Sequence, residues 1–296
     1  MAYFHVSVML KEILNYLDPR PGKKYIDCTL GGAGYTIALA KEVGEQGQVI
    51  AIDLDELAIK NATRLIAQQK LENIVLVNDN FKNLKAVVSE QVSPEAKFDG
   101  IVFDLGLSSA QLDDEARGFS FKGERPLDMS FGPKNERSTA DIVNTYSLPE
   151  LTRIFQEYGE ERYAYRIAKE IVEARKKKRI ASTHDLVSII EKVTPFRYHS
   201  KIHPATRIFQ ALRMETNEEL KVLEAVLPDA VSLLKPYGRL VVVSFHSGED
   251  RIVKQFFKDN PEIKILTKKP LIPTAEEMVN NSRARSAKLR AAEKIG

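Results

Sequence analysis

The residues best placed to do chemistry in this chain are a glycine-rich turn and a set of acids that close apolar runs. Asp27 to Thr36 reads DCTLGGAGYT, after an apolar run (Lys24 to Asp27) that suits a buried strand and before Ile37, Ala38, Leu39 and Ala40, which suit a helix face. Glycine at such a crossing lets the backbone approach a ligand with no Cβ in the way. The first unpaired N–H groups of the helix then point at that ligand. The same residues also make an ordinary tight link between strand and helix. Asp53 closes QVIAID, Asp104 closes FDGIVFD, Phe81 follows Ile74 to Val77 through a polar corner, and His246 follows RLVVVSF. Ligands of open parallel sheets bind beyond the carboxyl ends of the strands, so the turn, Asp53, Phe81, Asp104 and His246 are expected to converge, with Asp53 placed to hold ribose hydroxyls.

The glycine spacing selects among nucleoside ligands. A dinucleotide site needs G-x-G-x-x-G, and here Ile37 and Leu39 stand beyond Gly34, which disfavours nicotinamide. The run resembles instead the first motif of the S-adenosylmethionine-dependent methyltransferases, an acid followed by alternating small residues. In that motif Thr29 and Ala33 occupy positions that are often glycine.

The elements that must position these residues alternate. Ser7 to Leu17 spaces Met9, Leu10, Ile13, Leu14 and Leu17 as a helix that Asp18-Pro19 stops. Gly44 and Gly47 end the next helix, Asp55 caps another that carries Ala58, Ile59, Ala62, Leu65 and Ile66, and Phe98 to Asp104 is a fourth strand. From about Asp113 to Arg213 the alternation ceases. Ser147 and Glu150 predict a capping box, a second helix is expected over Glu160 to Lys177, and a third from Ser182 or Thr183 to Pro195. Arg117 to Met129 reads as a lid or substrate loop rather than core. The sheet resumes after a helix from Glu218 to Leu234 and a turn at Lys235 to Gly238, with a strand at Arg239 to Phe245. Ile263 to Leu266 is expected as the last strand, before a basic tail. The expected organisation is a methyltransferase domain in two parts, 1–112 and 214–296, with a helical substrate-recognition domain, 113–213, inserted between them.

Composition sets outer limits. The 296 residues suit one large or two modest domains at about 150 residues each, and 43% hydrophobic with 29% charged residues is a soluble globular balance. No apolar run approaches the ~20 residues of a membrane span, and no leader is evident at the amino terminus, so a cytoplasmic location is expected. One cysteine, Cys28, allows no internal disulfide, and with scattered histidines it offers no metal-ligand spacing, so no metal site is expected. The net charge of +3 proves no nucleic-acid partner, although RKKKR at Arg175 to Arg179 and the stretch Arg283 to Lys294 concentrate basic residues. Either could be a solvated face.

Several long strings resemble one family, the bacterial S-adenosylmethionine-dependent methyltransferases that modify the exocyclic N4 of a cytidine in small-subunit (16S) ribosomal RNA. They are FDGIVFDLGLSSAQLDDEARGFSF (Phe98 to Phe121), RPLDM (Arg125 to Met129), YGEERYAYRIAKEIV (Tyr158 to Val172), HPATRIFQALRMETNEEL (His203 to Leu220), SFHSGEDRIVK (Ser244 to Lys254) and SRARSAKLRAAE (Ser282 to Glu293). The resemblance covers almost the whole chain. It implies an α/β fold, a Rossmann-like class I methyltransferase sheet with an inserted all-helical domain, and S-adenosylmethionine as cofactor. It implies cofactor contacts at Ala33, Gly34, Tyr35, Asp53, Phe81, Asp104 and Gln111, and a ribosomal RNA partner near the decoding centre. The family has glycine where Ala33 stands, histidine at Tyr35, proline at Ala110 and leucine at Gly248. Asp104, Ser108 and Ser109 are the candidate contacts to the reacting amine, although serines there also suit a turn. His203, Arg207, Arg213, His246, Arg283, Arg285 and Arg290 are the candidate RNA contacts, arginines suiting phosphates, and Phe119 to Phe121 is a candidate stacking wall. A DNA cytosine N4-methyltransferase shares the chemistry but has a Pro-Pro-Tyr signature that this chain lacks. An inactive RNA-associated cofactor-binding protein is the other alternative. The oligomeric state, monomer or homodimer, is open.

Overall fold

The computed structural model describes residues 7–107, 118–120, 123–132, 137–195 and 203–296. The chain divides into two compact units, residues 1–109 with 220–296, and residues 110–219. The helical unit therefore begins three residues before the expected boundary and ends six after it.

The first unit is built on a seven-stranded sheet. Its strands are β1 (Lys24–Asp27), β2 (Gln48–Asp53), β3 (Ile74–Asn78), β4 (Phe98–Asp104), β5 (Leu234–Ser244), β6 (Ile263–Ile265) and β7 (Lys288–Lys294). They lie in the order β3-β2-β1-β4-β5-β7-β6. The first five strands pair in parallel, and β7 runs antiparallel to both β5 and β6. The expected basic tail is thus a strand inside the sheet, and Ile263–Ile265 is its edge. The expected turn at Lys235 to Gly238 lies within β5, where the register with β4 jumps from Leu234 opposite Phe98 to Arg239 opposite Gly100. Tyr237 takes φ 65° in that bulge.

Period-two alternation sends successive strand residues to opposite faces. Ile50, Ile52, Ile101, Phe103, Leu240 and Val242 join α4 (Leu84–Gln91), α10 (Glu219–Leu233) and α11 (Ser247–Asp259) in one apolar cluster. Val49, Val102, Val241 and Val243 join α1 (Leu10–Leu17) and α2 (Gly34–Val43) in another. The first helix starts three residues later than expected, because Met9 sits in the left-handed region at φ 52°. Asp55 caps α3 (Glu56–Gln69) by accepting from Leu57 N.

The second unit holds α5 (Thr139–Thr145), α6 (Leu148–Glu157), α7 (Ala164–Arg175), α8 (Thr183–Val193) and α9 (Pro204–Thr216). Reciprocal capping boxes start three of them, at Ser138/Asp141, Ser147/Glu150 and Ser182/Asp185. Their apolar faces, including Ile142, Leu151, Phe155, Ile167, Leu186, Ile208 and Leu212, are buried. In the described part of Arg117 to Met129, which forms no helix or strand, Phe119, Leu127 and Met129 are buried while Gly123, Glu124 and Pro126 are exposed, and Pro126 bridges to Ser182. Phe119 stacks on Phe131 at 5.7 Å between ring centres, which removes it as an exposed stacking wall; Phe121 lies outside the described residues. The basic run at Arg175 to Arg179 is engaged locally, with Arg175 donating to Val143 O and Arg179 to Asp141.

Candidate active site at the strand ends

Three carboxyl groups close adjoining strands β2, β1 and β4. Asp27 is fully buried, and it clasps the glycine turn by accepting from Thr29 N at 3.1 Å and from the Thr36 hydroxyl at 2.7 Å. Asp53 accepts from Gly31 N and from Asp55 N, both at 2.8 Å, so it ties the turn to the end of β2. Each oxygen keeps further acceptor capacity. Asp104 lies at the end of β4, where its own N–H donates to the Thr29 hydroxyl at 2.7 Å and its Oδ1 accepts from Gly106 N at 3.2 Å. Burial pushes all three carboxyls up to about 6, since removing water disfavours the charged form, while the N–H groups of Thr29 on Asp27, of Gly31 and Asp55 on Asp53 and of Gly106 on Asp104 pull the other way.

The turn itself is shaped by backbone conformation. Ala33 has φ 64° and no exposed surface, a left-handed residue just ahead of α2 where glycine is free of strain and alanine is not. Gly34 opens α2 beside Ser7, and a Cβ there would meet the Ser7 hydroxyl at 1.8 Å. Tyr35 is buried, and its hydroxyl oxygen lies 2.8 Å from Asp104 Oδ2 and 2.5 Å from the carbonyl of Val8. Phe81 meets Phe103 edge to face at 5.6 Å, on a short helical turn that Asn80 caps. Asn78 donates to the carbonyl of Asp53, so β3 supports the end of β2.

The glycine turn, Tyr35, Asp53 and Asp104 are therefore linked by hydrogen bonds. Ser108, Ser109 and Gln111 lie outside the described residues. His246 caps α11: its Nδ1 accepts from Glu249 N at 3.3 Å, and Glu249 in turn accepts from Phe245 N and His246 N. His246 Nε2 is 3.0 Å from Glu249 Oε1 but off the line of a hydrogen bond. Arg290 is a buried strand residue whose Nε donates to Asp250 at 2.6 Å, so the phosphate contact expected of it on an open tail has no open tail to stand on. Arg283 and Arg285 lie on a short turn, Ser282–Ser286, ahead of β7. In the helical unit His203 caps α9 by accepting from Ala205 N, Arg207 donates to the carbonyl of Glu160, and Arg213 holds Glu219 with two parallel bonds of 2.7 and 2.8 Å.

Sequence reasoning missed Thr29 and Val8 as parts of the site. It also missed Glu277, on α12 (Ala275–Asn280), which accepts from Met9 N at 2.6 Å and holds the segment that reaches Tyr35. Thr29 was noticed only as a departure from glycine, and nothing local marks Val8 or Glu277.

A sheet of this order, with one antiparallel strand between the fifth and the edge and a glycine turn clasped by acids after the first, defines a class I methyltransferase. The pattern of the MraW methylase family matches residues 2–295, and the chain belongs to that family. A ribosomal RNA small subunit methyltransferase H of Carboxydothermus hydrogenoformans is 44% identical, over all of this chain and 99% of the relative. One of Finegoldia magna is 43% identical over the full length of both. A solved rRNA methylase from Streptococcus thermophilus is 11% identical, with a TM-score of 0.44 over 97% of this chain and 94% of that one.

Proposed function

We propose that the chain methylates the exocyclic N4 of a cytidine in small-subunit ribosomal RNA, with S-adenosylmethionine as cofactor. The observation that carries this reading is the group of three half-buried or buried carboxyls, Asp27, Asp53 and Asp104, around one glycine turn. Burial disfavours their charge, and a cation placed among them would restore it. S-adenosylmethionine supplies a sulfonium carrying a transferable methyl, and its ribose offers hydroxyls to the acceptor capacity left on Asp53. Ala33, Gly34 and Tyr35 would line the turn, Phe81 would pack against the adenine, and Gln111 is carried as a further contact.

Cytosine N4 is a weak nucleophile because its lone pair is delocalised into the ring. Orientation carries most of the acceleration, and acceptors on the N4 hydrogens favour the pyramidal amine that attacks. Asp104, with Ser108 and Ser109 after it, is assigned that role. The helical unit, through His203 and Arg207, and the turn bearing Arg283 and Arg285 are assigned to the RNA backbone, where arginine positions without reading sequence.

The test is transfer of labelled methyl from S-adenosylmethionine to small ribosomal subunits lacking the modification, followed by nuclease digestion and nucleoside analysis. Label in N4-methylcytidine, lost with Asp104→Ala, is the expected result. Label in another nucleoside would move the reading to a different target, and no label despite bound cofactor would move it to a different substrate.

A further inference from the structure

The Tyr35 hydroxyl touches two groups that both ordinarily accept hydrogen bonds. Its oxygen lies 2.5 Å from the Val8 carbonyl oxygen and 2.8 Å from Asp104 Oδ2. A phenol carries one hydrogen and a carbonyl carries none. The shorter contact is attractive only with the phenolic hydrogen directed at Val8; otherwise lone pairs would face one another at 2.5 Å inside the protein. The phenolic oxygen then presents only lone pairs to Asp104. The 2.8 Å contact becomes a hydrogen bond when the carboxyl itself carries the hydrogen, and Oδ1 remains to accept from Gly106 N.

The charged groups around this chain of bonds act in the same sense. Asp104 faces Asp27 of β1 and Glu249 of α11, and Tyr35 faces Asp27 and Glu277 of α12. All are acids, and each disfavours a second negative charge. Burial also holds Asp104 up to about 6 and pushes the Tyr35 phenol well above its ordinary range, so the phenol keeps its hydrogen.

We propose that Tyr35 is a positioning residue: anchored on Val8, it favours the neutral acid of Asp104 over the carboxylate in the cofactor-free protein, and a sulfonium cation bound nearby shifts that balance back to the carboxylate. The proposal rests on the reading above, in which the strand ends hold S-adenosylmethionine. It gives the carboxyl a cycle. In the loaded protein Asp104 is a carboxylate that accepts a hydrogen bond from the N4 amine. As the nitrogen lone pair forms the new N–C bond, the methyl–sulfur bond breaks with its electrons on sulfur. The proton lost from nitrogen then passes to Asp104. The sulfur is now neutral, and Asp104 carries the proton in the form that the Tyr35 contact favours, until it is released to solvent.

The first test needs no cofactor. The protein is labelled with 13C at the aspartate carboxyl carbons, Asp104 is assigned with Asp104→Asn, and its titration is followed in the wild type and in Tyr35→Phe. Loss of an acceptor that favours the neutral acid is expected to move the Asp104 midpoint down by about one pH unit. A rise, or no change, overturns the proposal, because a phenol donating to a carboxylate would leave the midpoint higher when removed. If Tyr35→Phe fails to fold, a wild-type midpoint in the ordinary carboxylate range overturns it equally.

The second test is calorimetry in two buffers of different ionisation enthalpy, at pH about 5.5, where a group titrating near 6 is mostly protonated. S-adenosylmethionine is expected to release more protons than S-adenosylhomocysteine, whose sulfur is neutral, and the excess is expected to shrink in Tyr35→Phe. Equal release by the two ligands overturns the coupling to the cation. Absence of binding heat with either ligand overturns the cofactor reading and the coupling with it, while the carboxyl titration still decides what Tyr35 does to Asp104.

Discussion

A carboxyl at a buried strand end costs stability whenever it is charged, and Asp27 is the clearest case because no part of it is exposed. Burial lifts it from an ordinary 3.8 to about 6, against the pull of the Thr36 and Thr29 hydrogen bonds. Between those two values the native state binds more protons than the unfolded chain, so the contribution of Asp27 falls as pH rises through that window. By pH 7 the loss amounts to about 3 kcal/mol. Asp27→Asn has no such slope. Denaturant unfolding from pH 4 to 7 is therefore expected to show the wild type losing ground steadily to the variant, and parallel profiles would refute the burial account. Asp53 acts differently, since its bond from Gly31 N ties the glycine turn to the end of β2 while Asp55 N holds its other oxygen. Asp53→Ala is expected to weaken S-adenosylmethionine binding by at least about tenfold, as read by calorimetry, because the turn loses its acceptor and, on the proposed reading, the ribose does too.

At the scale of elements, the start of α11 shows how a site residue can be spent on structure. Glu249 is nearly fully buried and receives the N–H groups of Phe245 and His246 where β5 gives way to the helix. Glu249→Ala leaves both donors without that acceptor and is expected to cost about 2 kcal/mol in denaturant unfolding. An effect below about 0.5 kcal/mol would mean that water replaces the carboxylate. On the other side of the sheet, Gly100 of β4 passes so near the Tyr25 ring that a Cβ would lie 2.7 Å from it and 3.0 Å from Leu17. Gly100→Ala is expected to cost about 1–3 kcal/mol by overpacking, detectable as a lower midpoint with an unchanged denaturant slope. Elements of this kind were legible in the sequence where one local rule decided them. QVIAID and FDGIVFD give β2 and β4 residue for residue, Asp55 gives a cap, and Ser147 with Glu150 gives a capping box. In Arg117 to Met129 the buried side chains were not legible, because glycine and charge outweigh the few apolar residues, and Leu127 and Met129 flank a bridge to Ser182, which is distant in sequence.

At the scale of the whole chain the same limit explains β7. KLRAAEK carries three basic residues and an acid among small and apolar ones, which reads as a solvated tail when taken alone. Its partners supply what the string lacks. Arg290 is neutralised by Asp250, Arg239 donates to Glu293, and Leu289 and Ala291 enter the core. The parts of the site contributed by Val8 and Glu277 were illegible for the same reason, since each acts across the fold on a residue far away in the chain. A chain ending before residue 288 leaves β5 and β6 with no strand between them. It is expected to accumulate as insoluble protein, or to show exposed apolar surface by dye binding, and a soluble, cooperatively unfolding truncation would contradict the central place given to β7.

That place also sets a timetable for synthesis. β1 to β4 emerge in close succession and can pair as they appear, but β5 arrives only after the whole of the second unit has been made, and β7, with which β6 pairs, is still to come. Domains that fold as they leave the ribosome do so in order of appearance, and pairings between distant segments are the slow ones. The helical unit, all of whose segments lie between β4 and β5 in the chain, is complete before β5 is made. The sheet waits with an open edge at β5 until residues 288–294 slot in between two strands already made, so the last structural event is also the one that turns a half-finished sheet into one with a protected interior.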